Sequence, residues 1–201
     1  MKGGAVLHIG ENQKNVVALL GSPRKKGNST VLAKRIIHGA KSAGARVETV
    51  YLNGLHIKPC QGCYACKKKS STGCAVDDDM QPLYSKLVES DAWIIASPVY
   101  WFNMSAQIKI FMDRCFALWN EDPQINRMYN KRIAIAMSYG DSDPFNSGCV
   151  NALRSFQDAY RYAGARIVGM VYGSADQPGE IASNAELMAQ AEEIGKKLLL
   201  N

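Results

Sequence analysis

Four cysteines in the first half of the chain have a spacing that is typical of a metal centre. Cys60, Cys63, Cys66 and Cys74 form a C-x2-C-x2-C-x7-C pattern. A cubane 4Fe–4S cluster needs four thiolates, and a compact C-x2-C-x2-C run supplies three neighbouring ones. The stretch from the third cysteine to the fourth reaches roughly 26 Å when extended, so a loop can supply the last ligand. A 4Fe–4S cluster is therefore the favoured interpretation.

Two other states of these cysteines stay open. Zinc is also bound by four thiolates, although structural zinc sites more often use two separated pairs. Free thiols are the second alternative, and a disulfide is disfavoured in a reducing compartment. Cys115 and Cys149 lie in predicted helices, where they are expected to be buried as apolar residues.

A second stretch, residues 15–30 (NVVALLGSPRKKGNST), is suited to binding phosphate. Its apolar run predicts a buried parallel strand, and the polar end predicts a helix start, because Asn28, Ser29 and Thr30 all favour the N-cap. Free backbone N–H groups and the positive end of the helix dipole would then face an anion. The alternative is a surface turn before a capped helix.

This loop matches neither of two well-known phosphate motifs. Gly21 and Gly27 have five residues between them, and Asn28 follows where a nucleoside triphosphatase has lysine. The G-x-G-x-x-G pattern that cradles a pyrophosphate is also absent. A hydroxyl-rich loop of this kind suits a single terminal phosphate, which points to FMN.

The elements around these residues predict an α/β fold. Apolar runs predict strands over 16–20, 46–52, 92–97, 131–137 and 166–172. Helical spacing predicts helices that begin near Asn28, Asp77, Ser105, Ser147 and Asn184. This alternation implies a three-layer fold with a five-stranded parallel sheet, similar to the flavodoxin-like order 2-1-3-4-5. Loops 21–30, 98–104 and 138–143 would then meet at the carboxyl edge of the sheet.

The loop and helix start over 97–114 (SPVYWFNMSAQIKIFMDR) combine an apolar, aromatic surface with a polar helix start. A flat flavin ring needs such a surface, although the aromatic residues could also be ordinary core residues. Together with GSPRKKGNST, this stretch resembles the NADPH-dependent FMN reductase-like branch of the flavodoxin superfamily. The cysteine spacing resembles the cluster motif of its iron–sulfur flavoprotein subgroup.

The resemblance implies a set of cofactor residues. Around the FMN phosphate it implies Ser22, Arg24, Asn28, Ser29 and Thr30. Against the isoalloxazine it implies Pro98, Val99, Tyr100, Trp101, Asn103 and Met104, with Ser138, Tyr139 and Gly140 in the third loop. It also implies a homodimer or homotetramer with FMN near a subunit interface.

The resemblance further implies an FMN-dependent oxidoreductase. Its electron donor would be NAD(P)H or ferredoxin, and its acceptors would be quinones, flavins or oxygen species. A cluster-free NAD(P)H-dependent flavin or quinone reductase and a non-enzymatic, flavodoxin-like electron carrier remain as alternatives. Since the flavin performs the chemistry, no general acid or base is assigned.

Composition sets the remaining expectations. The 201 residues predict one domain, with a cysteine-rich insertion over about 53–76. The net charge of +6 is scattered and accompanied by no nucleic-acid motif, and no run is long enough for a membrane helix. Residues 1–15 have no export signal, which predicts the cytoplasm.

Lys67, Lys68 and Lys69 are either a solvated run or a docking patch for an acidic electron carrier such as ferredoxin. His8, His38 and His56 are isolated and predicted to have no chemical role.

Overall fold

Five apolar runs pair side by side as a parallel sheet in the computed structural model, which describes residues 13–71 and 73–200. The strands are β1 (Asn15–Leu20), β2 (Arg46–Tyr51), β3 (Ala92–Tyr100), β4 (Asn103–Met104), β5 (Arg132–Tyr139) and β6 (Arg166–Ser174). The helices are α1 (Asn28–Ser42), α2 (Met80–Glu89), α3 (Ala106–Arg114), α4 (Cys149–Tyr162) and α5 (Ala185–Lys197). His8 and most of the segment used to judge export lie outside the described residues.

The sheet has one more strand than the sequence predicts. Its order is β2-β1-β3-β5-β6, and the short β4 pairs with β3 in antiparallel orientation. The fold class and the parallel core are confirmed, whereas the count of five strands is wrong. The extra strand arises because the chain after β3 folds back as a hairpin. Trp101 and Phe102 form its two-residue turn, both with positive φ (44° and 65°).

Side chains that alternate along the strands form two hydrophobic layers, one on each face of the sheet. Val17 and Leu19 face the layer under α2, α3 and α4, which is filled by large residues such as Trp93 and Phe111. Val16, Ala18 and Leu20 face the layer under α1 and α5. Helices therefore cover both faces, as expected for buried parallel strands. None of the helices in 13–71 and 73–200 has the length and apolarity that a membrane span needs.

Helix α3 is fixed to the carboxyl edge of the sheet by its first turn. Ser105 is its N-cap, and its hydroxyl accepts from the N–H of Ile108 at 3.5 Å and donates to the carbonyl of Gly21 at 2.9 Å. The N–H of Ser105 in turn donates to the hydroxyl of Ser97 at 2.8 Å. From this start, α3 runs antiparallel to the strands, so its last residues lie toward the opposite edge.

The segment between β2 and α2 has little regular structure. Its described part contains only two short 3-10 turns, Leu52–Gly54 and Ala65–Lys67. The sequence predicts residues 53–75 as a long irregular segment, and the secondary structure of its described part agrees. That the segment is an insertion stays a prediction.

Candidate functional site

The loop after β1 begins at a glycine that tolerates no side chain. The N–H of Gly21 donates to the carbonyl of Ala96 at 2.8 Å, which binds the loop to β3. A Cβ at Gly21 would collide with the side chain of Ile108 on α3. The loop therefore starts at a fixed position between β1, β3 and α3.

Inside the loop, polar groups hold the backbone around Arg24. The hydroxyl of Ser22 accepts from the N–H of Arg24 at 3.1 Å, and the hydroxyl of Thr30 donates to the carbonyl of Arg24 at 3.3 Å. The N–H of Gly27 donates to the same carbonyl at 2.9 Å. These bonds shape the loop but leave the guanidinium of Arg24 exposed.

Helix α1 begins without a side-chain cap. Gly27 occupies the N-cap position, so the three predicted cap residues fall in the first turn instead. The hydroxyl of Ser29, which is 1% exposed, has no hydrogen-bond partner within the described part of the chain. A buried hydroxyl is normally hydrogen-bonded, and uncapped N–H groups at a helix start attract anions. The first turn of α1 therefore combines an unpartnered buried hydroxyl with N–H groups that no side chain caps.

Asn28 has a different function from that of its neighbours. Its side-chain amide donates to the carbonyls of Ala175 at 3.2 Å and Gln177 at 3.0 Å, and its side-chain carbonyl accepts from the N–H of Ile181 at 3.3 Å. The side chain is therefore fully used in holding the loop after β6. Only the backbone of Asn28 remains to face an anion.

These loops enclose a cavity of about 130 Å³ at the carboxyl edge of the sheet. Ten of the fourteen predicted cofactor residues line it: Ser22, Arg24, Asn28, Ser29, Pro98, Val99, Tyr100, Ser138, Tyr139 and Gly140. The structure thus brings together the three loops that the sequence places at this edge.

Four predicted residues lie outside the cavity lining. Thr30 and Met104 are buried in the protein, and the side chain of Asn103 accepts from the N–H of Met104 at 2.8 Å. Trp101 is 92% exposed and makes an edge-to-face contact with Phe102, with ring centroids 5.7 Å apart. Trp101 therefore projects from the hairpin turn beside the cavity, where a larger ligand would reach it.

Sequence reasoning missed Gly27 and the loop after β6, from which Ala175, Asp176 and Pro178 line the cavity. The rule that ligands bind at the carboxyl ends of parallel strands applies to β6 as much as to β1, β3 and β5. The Gly/Pro/Asp-rich stretch after β6 was therefore a usable signal.

The four motif cysteines line a second, larger cavity of about 550 Å³. Cys60 and Cys63 are exposed, and Cys66 and Cys74 are half-buried. Within residues 13–71 and 73–200, no three His, Cys, Asp or Glu side chains converge closely enough to hold one metal ion. The cysteines thus surround a space and do not meet at a point.

The thiol of Cys66 interacts electrostatically with two of the other cysteines. Burial raises its pKa, and the nearby Cys74 and Cys63 add to the increase, while Lys67 opposes it. Cys115 and Cys149 are buried, as the sequence predicts, and burial raises the pKa of both thiols, in Cys149 to about 11. Neither is suited to act as a thiolate.

Lys67 is not part of a solvated run. Its ammonium donates to the carbonyl of Phe116 at 2.6 Å and also to that of Trp119. It lies 4.1 Å from the ring centroid of Phe116 and 5.1 Å from that of Trp119. Burial lowers the pKa of Lys67, and Cys66 partly offsets this decrease. Only Lys68 and Lys69 remain exposed for a partner.

The two cavities lie at different ends of α3. The small cavity adjoins the loops near its N-cap, whereas the cysteine cavity is lined by Cys115, Phe116 and Trp119 beyond its last residue. They share no lining residue. Since α3 has nine residues and rises about 1.5 Å per residue, its two ends are about 13 Å apart.

Comparison with known proteins relates this geometry to a family. Residues 14–179 match the model of the NADPH-dependent FMN reductase family. The chain belongs to this family. This match confirms the resemblance seen in the sequence and supports FMN-dependent oxidoreduction as the activity of the chain.

Relatives of this FMN reductase family member include proteins with iron–sulfur names. The chain is 31% identical over 182 residues to an iron-sulfur flavoprotein of Archaeoglobus fulgidus, an alignment that covers 90% of the chain and 77% of the relative. An NAD(P)H:quinone oxidoreductase from Methanothermobacter marburgensis has a similar structure, with a TM-score of 0.73, 18% identity and coverage of 94% and 99%. The two-electron reduced flavodoxin of Megasphaera elsdenii matches with a TM-score of 0.57, 15% identity and coverage of 91% and 97%. These two structures establish the flavodoxin-like fold.

Proposed function

We propose that this chain binds FMN at the loops around the small cavity, with part of the flavin outside it, and a 4Fe–4S cluster among Cys60, Cys63, Cys66 and Cys74. It would move electrons between NAD(P)H or ferredoxin and small acceptors such as quinones, flavins or oxygen species. The observation that carries the flavin part is the first turn of α1, where an unpartnered buried hydroxyl adjoins uncapped N–H groups.

Each loop at the carboxyl edge would hold a different part of FMN. The N–H groups of α1 and the hydroxyl of Ser29 would bind the phosphate, and the exposed guanidinium of Arg24 would neutralise it. Ser22, whose hydroxyl donates to the carbonyl of Arg24 at 3.3 Å, would shape the loop around the phosphate. Pro98, Val99 and Tyr100 would lie against the isoalloxazine, with Trp101 beside its exposed edge. When bound, FMN supplies hydride and single-electron chemistry, and the protein supplies position and electrostatics.

The cluster assignment is supported by the position of the motif cysteines. All four line one cavity, and a cubane needs four thiolates around a common space. The iron–sulfur name of the A. fulgidus relative supports the same assignment. The cluster would exchange single electrons with the flavin.

We also propose that the protein is a homodimer or homotetramer, in which the cluster of one copy faces the flavin edge of another. The exposed Trp101 and Phe102 at the flavin edge would supply apolar surface for that contact.

Anaerobic purification with added FMN tests the cofactors. We expect a flavin spectrum with a broad iron–sulfur absorbance, and four iron and four sulfide per chain. No flavin retained at micromolar FMN would overturn the flavin site, and stoichiometric zinc or metal-free thiols would overturn the cluster.

Steady-state assays then separate the three possible activities. Oxidation of NAD(P)H without iron would favour a cluster-free flavin or quinone reductase. Reduction only through ferredoxin would favour the iron–sulfur enzyme. Reversible one-electron cycling without either reaction would favour an electron carrier.

A further inference from the structure

Arg114 and Asp78 form an ion pair that is completely buried. Arg114 Nη1 lies 2.5 Å from Asp78 Oδ2 and Nη2 lies 3.1 Å from Oδ1, and both side chains are 0% exposed. Bidentate pairs of this kind fix orientation as well as charge. Apolar residues of similar size often stabilise a protein as much as such a pair does. The function of the pair is therefore sought in the segments that it connects.

The pair binds both ends of the cysteine segment. At the first end, Arg114 Nη1 donates to the carbonyl of Lys58 at 2.8 Å, and the N–H of Lys58 donates to Asp78 Oδ2 at 2.8 Å. At the second end, Arg114 Nη2 donates to the carbonyl of Val76 at 3.4 Å. Lys58 lies two residues before Cys60, and Val76 lies two residues after Cys74. One guanidinium therefore joins the two stretches of backbone that carry the first and the last motif cysteine.

Gln81 on α2 strengthens the second end. Its side-chain amide donates to the carbonyl of Cys74 at 2.8 Å and to that of Val76 at 2.6 Å. The hydroxyl of Tyr84, one turn further along α2, donates to the carbonyl of Arg114 at 2.9 Å. The contacts thus link α2, α3 and the backbone at Cys74 in one network.

Apolar packing contributes little to the position of the cysteine segment, in which Tyr64, although 65% exposed, contacts Phe116 edge to face. Cys60 and Cys63 are exposed, and the described residues between Lys58 and Val76 include no buried side chain. By contrast, Phe111 on α3 and Leu83 and Leu87 on α2 are buried in the core under the sheet. Loosening the polar network would therefore displace the segment before it displaces the helices.

We propose that Arg114, assisted by Gln81, is a positioning residue that keeps the two ends of the cysteine segment together before any metal group binds. The inference concerns the arrangement of the thiols in the metal-free chain. Its effect on cluster retention rests on the proposed cluster. It predicts that the chain carries a partly preformed ligand set, so that cluster retention depends on a residue whose hydrogen bonds go to Asp78 and to backbone carbonyls.

The test uses Arg114→Lys and Gln81→Leu, with Arg154→Lys as the matched control. Arg154 also pairs with an aspartate, Asp158, but on the exposed face of α4. In the reconstituted protein, both test variants should lose iron to a chelator about 10-fold faster or more, as for other residues that orient metal ligands. The midpoint potential and the EPR line shape of the cluster should also change, while FMN binding stays unchanged.

A second measurement separates this inference from the proposed cluster. In the metal-free, reduced protein, a short bifunctional thiol reagent should join Cys60 to Cys74 less completely in both test variants than in the wild type and Arg154→Lys. If the wild type holds no iron but this difference is present, the positioning inference stands and the cluster assignment fails. The inference is overturned if Gln81→Leu and Arg114→Lys fold and their cross-linking is unchanged. It is also overturned if both fold and their iron retention and midpoint potential are unchanged. Gln81→Leu decides the result alone if Arg114→Lys does not fold.

Discussion

The ammonium of Lys67 lies 4.1 Å from the ring centroid of Phe116 and donates to the carbonyl oxygen of the same residue at 2.6 Å. This carbonyl belongs to the 3-10 turn Cys115–Ala117 that follows α3, and it also accepts from the N–H of Trp119 at 3.3 Å. Lys67 thereby joins the middle of the cysteine segment to the end of α3. A run of three lysines in the sequence gave no sign that its first member differs from the others.

Removing this charge should destabilise the protein. Because hydrogen bonds from charged groups contribute about 1.5–3 kcal/mol, Lys67→Met should lower the free energy of unfolding by about 1–3 kcal/mol in urea titration. The exposed Lys68→Met should change it by less than about 0.5 kcal/mol. Equal effects of the two substitutions would contradict the structural role of Lys67.

Ser29→Ala should have opposite effects with and without flavin. The hydroxyl has no partner in the structure, so its removal should leave the flavin-free protein equally stable or more stable. If the hydroxyl donates to the FMN phosphate, the Kd for FMN should increase by about 10- to 100-fold. Fluorescence titration measures the Kd, and thermal melting measures stability. Ser42→Ala, at the other end of α1, should not change the Kd, and an unchanged Kd in Ser29→Ala would exclude this hydroxyl from the phosphate site.

The buried carboxylate of Asp78 should make stability depend on pH. Burial alone would raise its pKa, but hydrogen bonds from Arg114 and from the N–H groups of Lys58 and Met80 outweigh burial and hold the pKa below its usual range. Since the folded-state pKa is depressed, the stabilisation is present above the unfolded-state value of about 3.9 and is lost as pH falls through the folded-state value.

Asp78→Asn isolates this effect. At pH 7 it should destabilise the protein by about 3–5 kcal/mol, because Arg114 is left as an uncompensated buried charge. Its difference from the wild type should shrink when urea unfolding is repeated near pH 3. Asp113→Asn, which affects an exposed ion pair with Lys109, should show neither change. A difference that is constant between pH 7 and pH 3 would contradict the assignment.

The hairpin turn after β3 should be strained. Two-residue turns with positive φ at both positions favour Asn-Gly, yet Trp101 and Phe102 occupy this one. Replacing both (W101N/F102G) should raise the free energy of unfolding by about 1–2 kcal/mol, because both side chains are largely exposed. FMN affinity should decrease, since the aromatic surface is lost. Lower stability in the double variant would show that packing of the two rings outweighs the backbone strain.

Much of the fold could be predicted because its signals are local. Each parallel strand is a continuous apolar run, and each helix has apolar residues at helical spacing, so the elements and their layers follow from the sequence alone. β4 was missed because two residues, Asn103 and Met104, carry no periodic signal. The gathering of loops at the carboxyl edge follows from topology, which explains why ten of the predicted cofactor residues line the small cavity.

What the sequence does not show are the contacts of residues whose partners are distant in sequence. Asn28 bonds to residues 147 and more positions away, and no local pattern shows that its side chain is already used. Lys67 binds carbonyls about fifty positions away, and Arg114 binds the cysteine segment across more than thirty. Such contacts depend on how α2, α3 and the irregular segment pack together, which spacing along the chain does not encode.

The division of the two cavities between opposite ends of α3 has a consequence for the history of such chains. The contacts that hold the cysteine segment come from Arg114, Asp78, Gln81 and Lys67, and none of these residues lines the small cavity. A lineage could therefore lose or acquire these cysteines one by one while the lining of the small cavity stays the same. Selection can act on the cysteine segment without altering the residues of the small cavity.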